Sequence, residues 1–131
     1  METQDEFIIG HKPYLYIKLY AEVESENEAN LLAEDLLPKL ENCAPVALRS
    51  VLPYWKIPAY YGFLFDFAPH GTYRDTFNCL VALSLKGWSF SGSLPGREAI
   101  WNPKEGAVFL HEAVRWVHVD LCWISLETSN E

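Results

Sequence analysis

From Tyr14 to Val23 apolar and polar positions alternate. Leu15, Ile17, Leu19, Ala21 and Val23 point one way, and Tyr14, Tyr16, Lys18, Tyr20 and Glu22 the other. Period two with one aliphatic side predicts a strand that turns its aliphatic face to a core. Ser25-Glu26-Asn27-Glu28 then has the Ser-x-x-Glu form of a capping box, which satisfies orphan amides at a helix start. Leu32, Ala33, Leu36 and Leu40 follow at helical spacing, and Pro38 predicts an end or kink near Leu37. Residues 45–56 read as an extended segment in which Pro53, lacking a donor, suits an edge strand. Residues 59–67 place Tyr61, Phe63, Phe65 and Phe67 on one face, and Tyr60, Gly62, Leu64 and Asp66 on the other.

A second helix is predicted after Pro69-His70-Gly71. Thr72 is its cap, Phe77, Leu80, Val81 and Leu85 its core stripe, and Gly87 its terminator. Residues 88–93 form a short strand, and residues 94–113, rich in glycine and proline, a long connection. The last alternating run sets Arg115, Val117, Val119, Leu121 and Trp123 against Trp116, His118, Asp120, Cys122 and Ile124. The order predicts an α+β fold: a ferredoxin-like β-α-β-β-α-β antiparallel sheet, two helices on one face, and an extra C-terminal strand. Its expected core holds Leu15, Ile17, Leu19, Leu32, Leu36, Phe63, Phe65, Leu80, Val81, Val117 and Val119. The other face then carries Tyr14, Tyr16, Tyr20, Tyr60 and Trp116, bare of helices. Part of that face is expected to be covered by the 94–113 connection or by a second subunit, because a large apolar patch is rarely left to water.

The length of 131 residues suits a single domain, residues 1–131, with 1–10 and 126–131 expected to be flexible tails. No apolar run reaches the length of a membrane span, and the first ten residues lack the pattern of a signal peptide. Cys43, Cys79 and Cys122 show no paired spacing, so they are expected to be buried free thiols in a reducing cytoplasm. The net charge of −8 changes the picture more. Residues 1–42 carry ten acids against three bases, and the other 89 residues only eight against seven. An acidic surface repels nucleic acid and anionic membrane, and it attracts a basic protein.

Candidate chemistry is sparse. The aromatic face invites an RNA reading, but strand one offers only Lys18 as a cation there and no RNP-like run exists. His118 and Asp120, two apart on one strand face, are expected to form a hydrogen-bonded structural pair. His111-Glu112 has no metal-ligand spacing, and no nucleophile elbow or phosphate loop occurs. The chain is therefore expected not to be an enzyme, and no metal or cofactor is expected. The first helix stands out instead. Glu24, Glu26 and Glu28 favour the dipole at its start, but Glu34, Asp35 and Glu41 lie where the dipole disfavours acids and only Lys39 offsets them. Glu28, Glu34, Asp35 and Glu41 are accordingly the candidate partner-binding residues, with Tyr14 and Tyr20 as apolar anchors at their edge.

The closing run EAVRWVHVDLCW (Glu112 to Trp123), following IWNPKEG in a small, acidic, tryptophan-rich chain, resembles the immunity proteins of bacterial polymorphic toxin and contact-dependent growth inhibition systems. The resemblance covers roughly the last quarter of the chain. It implies a cytoplasmic inhibitor that occludes the active site of a cognate toxin domain, often a basic nuclease. Other readings of the same topology stay open: a small dimeric α/β-barrel enzyme of the monooxygenase type, or a metabolite-binding or adaptor domain, using the open aromatic face.

Overall fold

A computed structural model describes residues 8–92 and 96–126. Six strands and two helices follow one another as β1 (His11–Glu22), α1 (Glu26–Glu41), β2 (Val46–Pro53), β3 (Tyr60–Phe67), α2 (Tyr73–Val81), β4 (Trp88–Ser91), β5 (Arg97–Trp101) and β6 (Val114–Ser125). The strands form one sheet in the order β2-β3-β1-β6-β5-β4, and every neighbouring pair is antiparallel. The fold class is α+β. Among the described residues no helix is long and apolar enough to cross a membrane.

Alternation decides which side is the core. Leu15, Ile17, Leu19 and Ala21 of β1 are fully buried, flanked in register by Phe63, Phe65 and Phe67 of β3 and by Val117, Val119 and Leu121 of β6. Both helices cover this one face, α1 through Ala29, Leu32, Leu36 and Leu40 and α2 through Phe77 and Leu80. The expected core residues are all buried except Val81, which packs against the core half-buried.

Helix ends are set by caps. Ser25 Oγ accepts from the Glu28 amide at 3.1 Å, and Thr72 Oγ1 from the Asp75 amide at 3.0 Å. Two expected ends shift. Helix α1 runs through Pro38 to Glu41, because Pro38 is on the exposed side while Leu40 is fully buried and anchors the last turn. Helix α2 stops at Val81, well before Gly87. Leu85, expected in the core stripe, is instead 98% exposed in the turn that follows.

The C-terminal third departs furthest from expectation. The segment read as a connection contains β5, which inserts between β6 and the short edge strand β4; Ser93, the last residue of the expected strand, lies outside the described residues. Trp101 of β5 is fully buried, its Nε1 donating to Ser84 Oγ and to the Lys86 carbonyl, each at 3.0 Å. Phe109 packs beside Trp101 and Trp88 and is also fully buried. The connection therefore closes the helix-covered core. Gly87 permits this with a φ of +103°, since a Cβ there would meet the Asn102 carbonyl oxygen at 2.5 Å.

The cysteines also correct expectation. Cys43, just after α1, and Cys79, in α2, form a disulfide that ties the two helices together, leaving Cys122 as the free thiol. The free-thiol reason for placing the chain in a reducing cytoplasm does not hold for that pair. Of the expected flexible tails, residues 1–7 and 127–131 lie outside the described residues.

Candidate partner-binding surface

The face without helices is paved with rings. Tyr14, Tyr16 and Tyr20 of β1 face the same way as Trp116 and His118 of β6, as the register Tyr20↔Trp116 and Lys18↔His118 requires. Centroid distances join them into one row of seven rings. Trp55 meets Tyr54 at 6.5 Å, Tyr54 stacks on Tyr20 at 4.3 Å, and Tyr20 reaches Trp116 at 5.3 Å. Trp116 then meets His118 at 5.8 Å, His118 meets Tyr16 at 6.0 Å, and Tyr16 meets Tyr14 at 5.2 Å. Gly62, opposite Tyr20 on β3, makes the central stack possible, because a Cβ there would meet the Tyr20 ring at 3.0 Å.

Polar tips hold these rings in place. Tyr14 donates its hydroxyl to Asp66 at 2.6 Å, and Arg49, lying over the Tyr14 ring, bonds Asp66 through Nε at 2.8 Å and also donates to the Tyr14 hydroxyl. Tyr16 donates to Asp120 at 2.8 Å. Burial, then the Asp66 hydrogen bond and charge, push the Tyr14 phenol up to about 12; burial and Asp120 raise Tyr16 further in the same direction. Hydrogen bonds and charge from Asp66 raise Arg49 as well. Both phenols therefore stay neutral donors near neutral pH.

His118 and Asp120 do not form the expected pair. His118 Nε2 instead lies 3.0 Å from Glu98 Oε1, across from β6 on β5, while Asp120 is taken by Tyr16. Burial pushes the Cys122 thiol up, with the charges of Asp120 and Glu98 adding to it, so it is a poor nucleophile near neutral pH.

At one end the face runs into the β2–β3 hairpin, where Leu52, Trp55 and Ile57 stand 62%, 81% and 42% exposed. Two surface clefts flank the Tyr20–Tyr54 stack. One, of about 290 Å³, is lined by Lys18, Leu52, Trp55 and Leu64; the other, of about 450 Å³, by Ile57, Tyr60, Arg115 and Trp116.

The candidate residues drawn from sequence fall on two sides of the sheet. Tyr14 and Tyr20 are on the open face, whereas Glu28, Glu34, Asp35 and Glu41 are exposed on α1, which covers the other. They do not make one surface. Two of the acids also have local duties: Glu28 Oε1 accepts from the Glu24 amide at 2.9 Å, and Asp35 pairs with Lys39 at 3.0 Å. Glu34 and Glu41 make no ion pair among the described residues. Of the connection expected to cover the rings, Ala107 and Phe109 are spent on the helix side, while Asn102 lines the cleft beside Tyr20 and Trp116. Sequence reading missed Leu52, Tyr54, Trp55 and Ile57, because Leu52, Tyr54 and Trp55 fell within the extended segment 45–56; the aromatics between Pro53 and Pro58 were the visible signal.

Comparison with known proteins gives no match to a family model, a curated protein or a solved structure.

Proposed function

We propose that this chain is a non-catalytic, immunity-type inhibitor that binds a basic toxin domain, a nuclease being the best fit, and blocks it by contact. The observation that carries the reading is the seven-ring row on a sheet face that no helix covers among the described residues. Tyrosine and tryptophan are the residues that most often dominate interface energy, and here carboxylates already fix two of the rings. Size supports the reading too. Strands of roughly eight residues, six abreast at about 4.8 Å spacing, present roughly 650–750 Å² in projection, close to one side of a standard interface. The net charge of −8 supplies attraction at a distance to a basic partner. In this account the open face makes the contact, and Glu34 and Glu41 of α1 steer.

The ferredoxin-like reading of the fold belongs with this proposal. It is supported by the inner order β2-β3-β1-β6, in which β3 separates β1 from β2 and β1 separates β3 from β6, with β4 and β5 as an edge hairpin. A second functional reading, binding of a small aromatic metabolite, draws on the clefts beside Tyr20 and Tyr54. The cytoplasmic seat of an immunity protein would require function with the Cys43–Cys79 pair reduced.

The deciding experiment co-expresses this chain with the C-terminal domain of the protein encoded immediately upstream. The expected result is restored growth and a one-to-one complex, both lost in a folded Tyr20→Ala/Trp116→Ala protein. Protection that survives this double substitution would reject the open face as the contact.

A further inference from the structure

We propose that Glu98, His118 and Asp120 form a binding site for a divalent transition cation, with zinc the best match. One ligand atom from each of the three lies within 4.8 Å of the others, and all three side chains are half-buried. Their positions are fixed by backbone pairing. Glu98 and Asp120 are direct cross-strand partners of β5 and β6, and His118 lies two residues before Asp120 on the same face. Ligand atoms around tetrahedral zinc sit roughly 3–3.5 Å apart, so the observed 3.0 Å between His118 Nε2 and Glu98 Oε1 needs little change.

Electrostatics points the same way. Like charges directly opposite one another on paired strands are unfavourable. Among the described residues no lysine or arginine pairs with Glu98 or Asp120, and the basic group that meets Glu98 is the His118 imidazole itself. Lys18, the cross-strand neighbour of His118, lies over the Tyr20 ring at 5.7 Å instead. A cation between the two carboxylates removes this repulsion.

The donor set selects the metal. Imidazole with two carboxylates is a mixed nitrogen–oxygen set that suits zinc better than calcium or magnesium, which take oxygen donors and more of them. Tyr16 donates to Asp120 Oδ2 at 2.8 Å, the outer hydrogen bond that orients a ligating carboxylate and leaves Oδ1 for the metal. With three protein donors on an open sheet face, the remaining position is turned to solvent. The inference does not depend on the identity of any protein partner.

Isothermal titration of the chelator-treated full chain with zinc sulfate tests it, alongside thermal unfolding with and without the metal. Saturable one-to-one binding and a raised melting temperature, reversed by chelator, are expected. Glu98→Gln and His118→Ala should each weaken binding at least tenfold while the apo melting temperature stays near that of the wild type. Tyr16→Phe, a positioning change, should weaken it less. If either ligand variant unfolds, the His118 ring proton resonances in the wild type decide: they shift on adding zinc if the site binds. No wild-type binding, binding unaltered in both ligand variants, or a preference for calcium or magnesium would overturn the proposal.

Discussion

The two faces of the sheet are made by alternate residues of the same strands, yet they are built by different rules. On one side Leu15, Ile17 and Leu19 are sealed under two helices with no exposed surface at all. On the other, Tyr14, Tyr16 and Tyr20 are half-buried with no helix above them, and the first two are fixed by carboxylates. Aliphatic packing needs only volume and dryness. An exposed ring needs a polar partner at its tip to hold one orientation in water. In the proposed reading the helix-covered face serves stability and the open face recognition, and substitutions should divide accordingly.

The largest stability loss should come from the covered side. Ile17→Ala or Phe65→Ala leaves a cavity in the shared core and should cost about 2–5 kcal/mol in urea denaturation. Trp116→Ala or Tyr20→Ala on the open face should cost clearly less; equal losses would erase the distinction between the faces. Next is the cross-link between the helices. Closing a loop with a sequence separation of 36 constrains the unfolded chain by about 4 kcal/mol in the loop-entropy model, so reduction or Cys43→Ser/Cys79→Ser should lower the melting temperature markedly. An unchanged melting temperature would show that the disulfide does not constrain the chain. The cap of α1 is a smaller item: Ser25→Ala should cost about 1 kcal/mol by the same denaturation measurement.

The smallest effect sharpens the open face itself. A phenol held near 12 in the folded chain contributes stability that is complete below its ordinary value near 10 and is lost as pH rises to about 12. Asp66→Asn removes the negative charge that accepts the Tyr14 hydroxyl's hydrogen bond, so the Tyr14 phenolate absorbance should emerge at lower pH. No change in the alkaline absorbance titration would mean that Asp66 does not hold the ring.

Much of this architecture was legible. Alternation placed nearly every buried residue of β1, β3 and β6, because a strand packed on one side writes its face into the sequence with period two. Capping chemistry placed both helix starts at Ser25 and Thr72. What was hidden depends on distant partners. The five residues of β5 are too few for periodicity to declare them, and Trp101 is buried only because Ser84 and Lys86 come round to meet its indole. Cys43 and Cys79 carry no spacing signal, since their approach follows from how α1 and α2 dock. The site was half legible for the same reason. Tyr14 and Tyr20 were visible on the open face, but Tyr54 and Trp55 join them only through the hairpin, and Glu98 meets His118 only through the β5–β6 register.

In the proposed complex the open face makes the contact while the acids of α1 act at a distance. Association and dissociation rates with the proposed toxin domain, measured at low and high salt for Trp116→Ala and for Glu34→Lys/Glu41→Lys, separate the two roles. Trp116→Ala should speed dissociation at least tenfold at either salt concentration. The double reversal should slow association at low salt, and the effect should fade as the Debye length shrinks below about 8 Å. Fast dissociation in the α1 reversal together with an unaltered Trp116→Ala complex would move the contact to the helix.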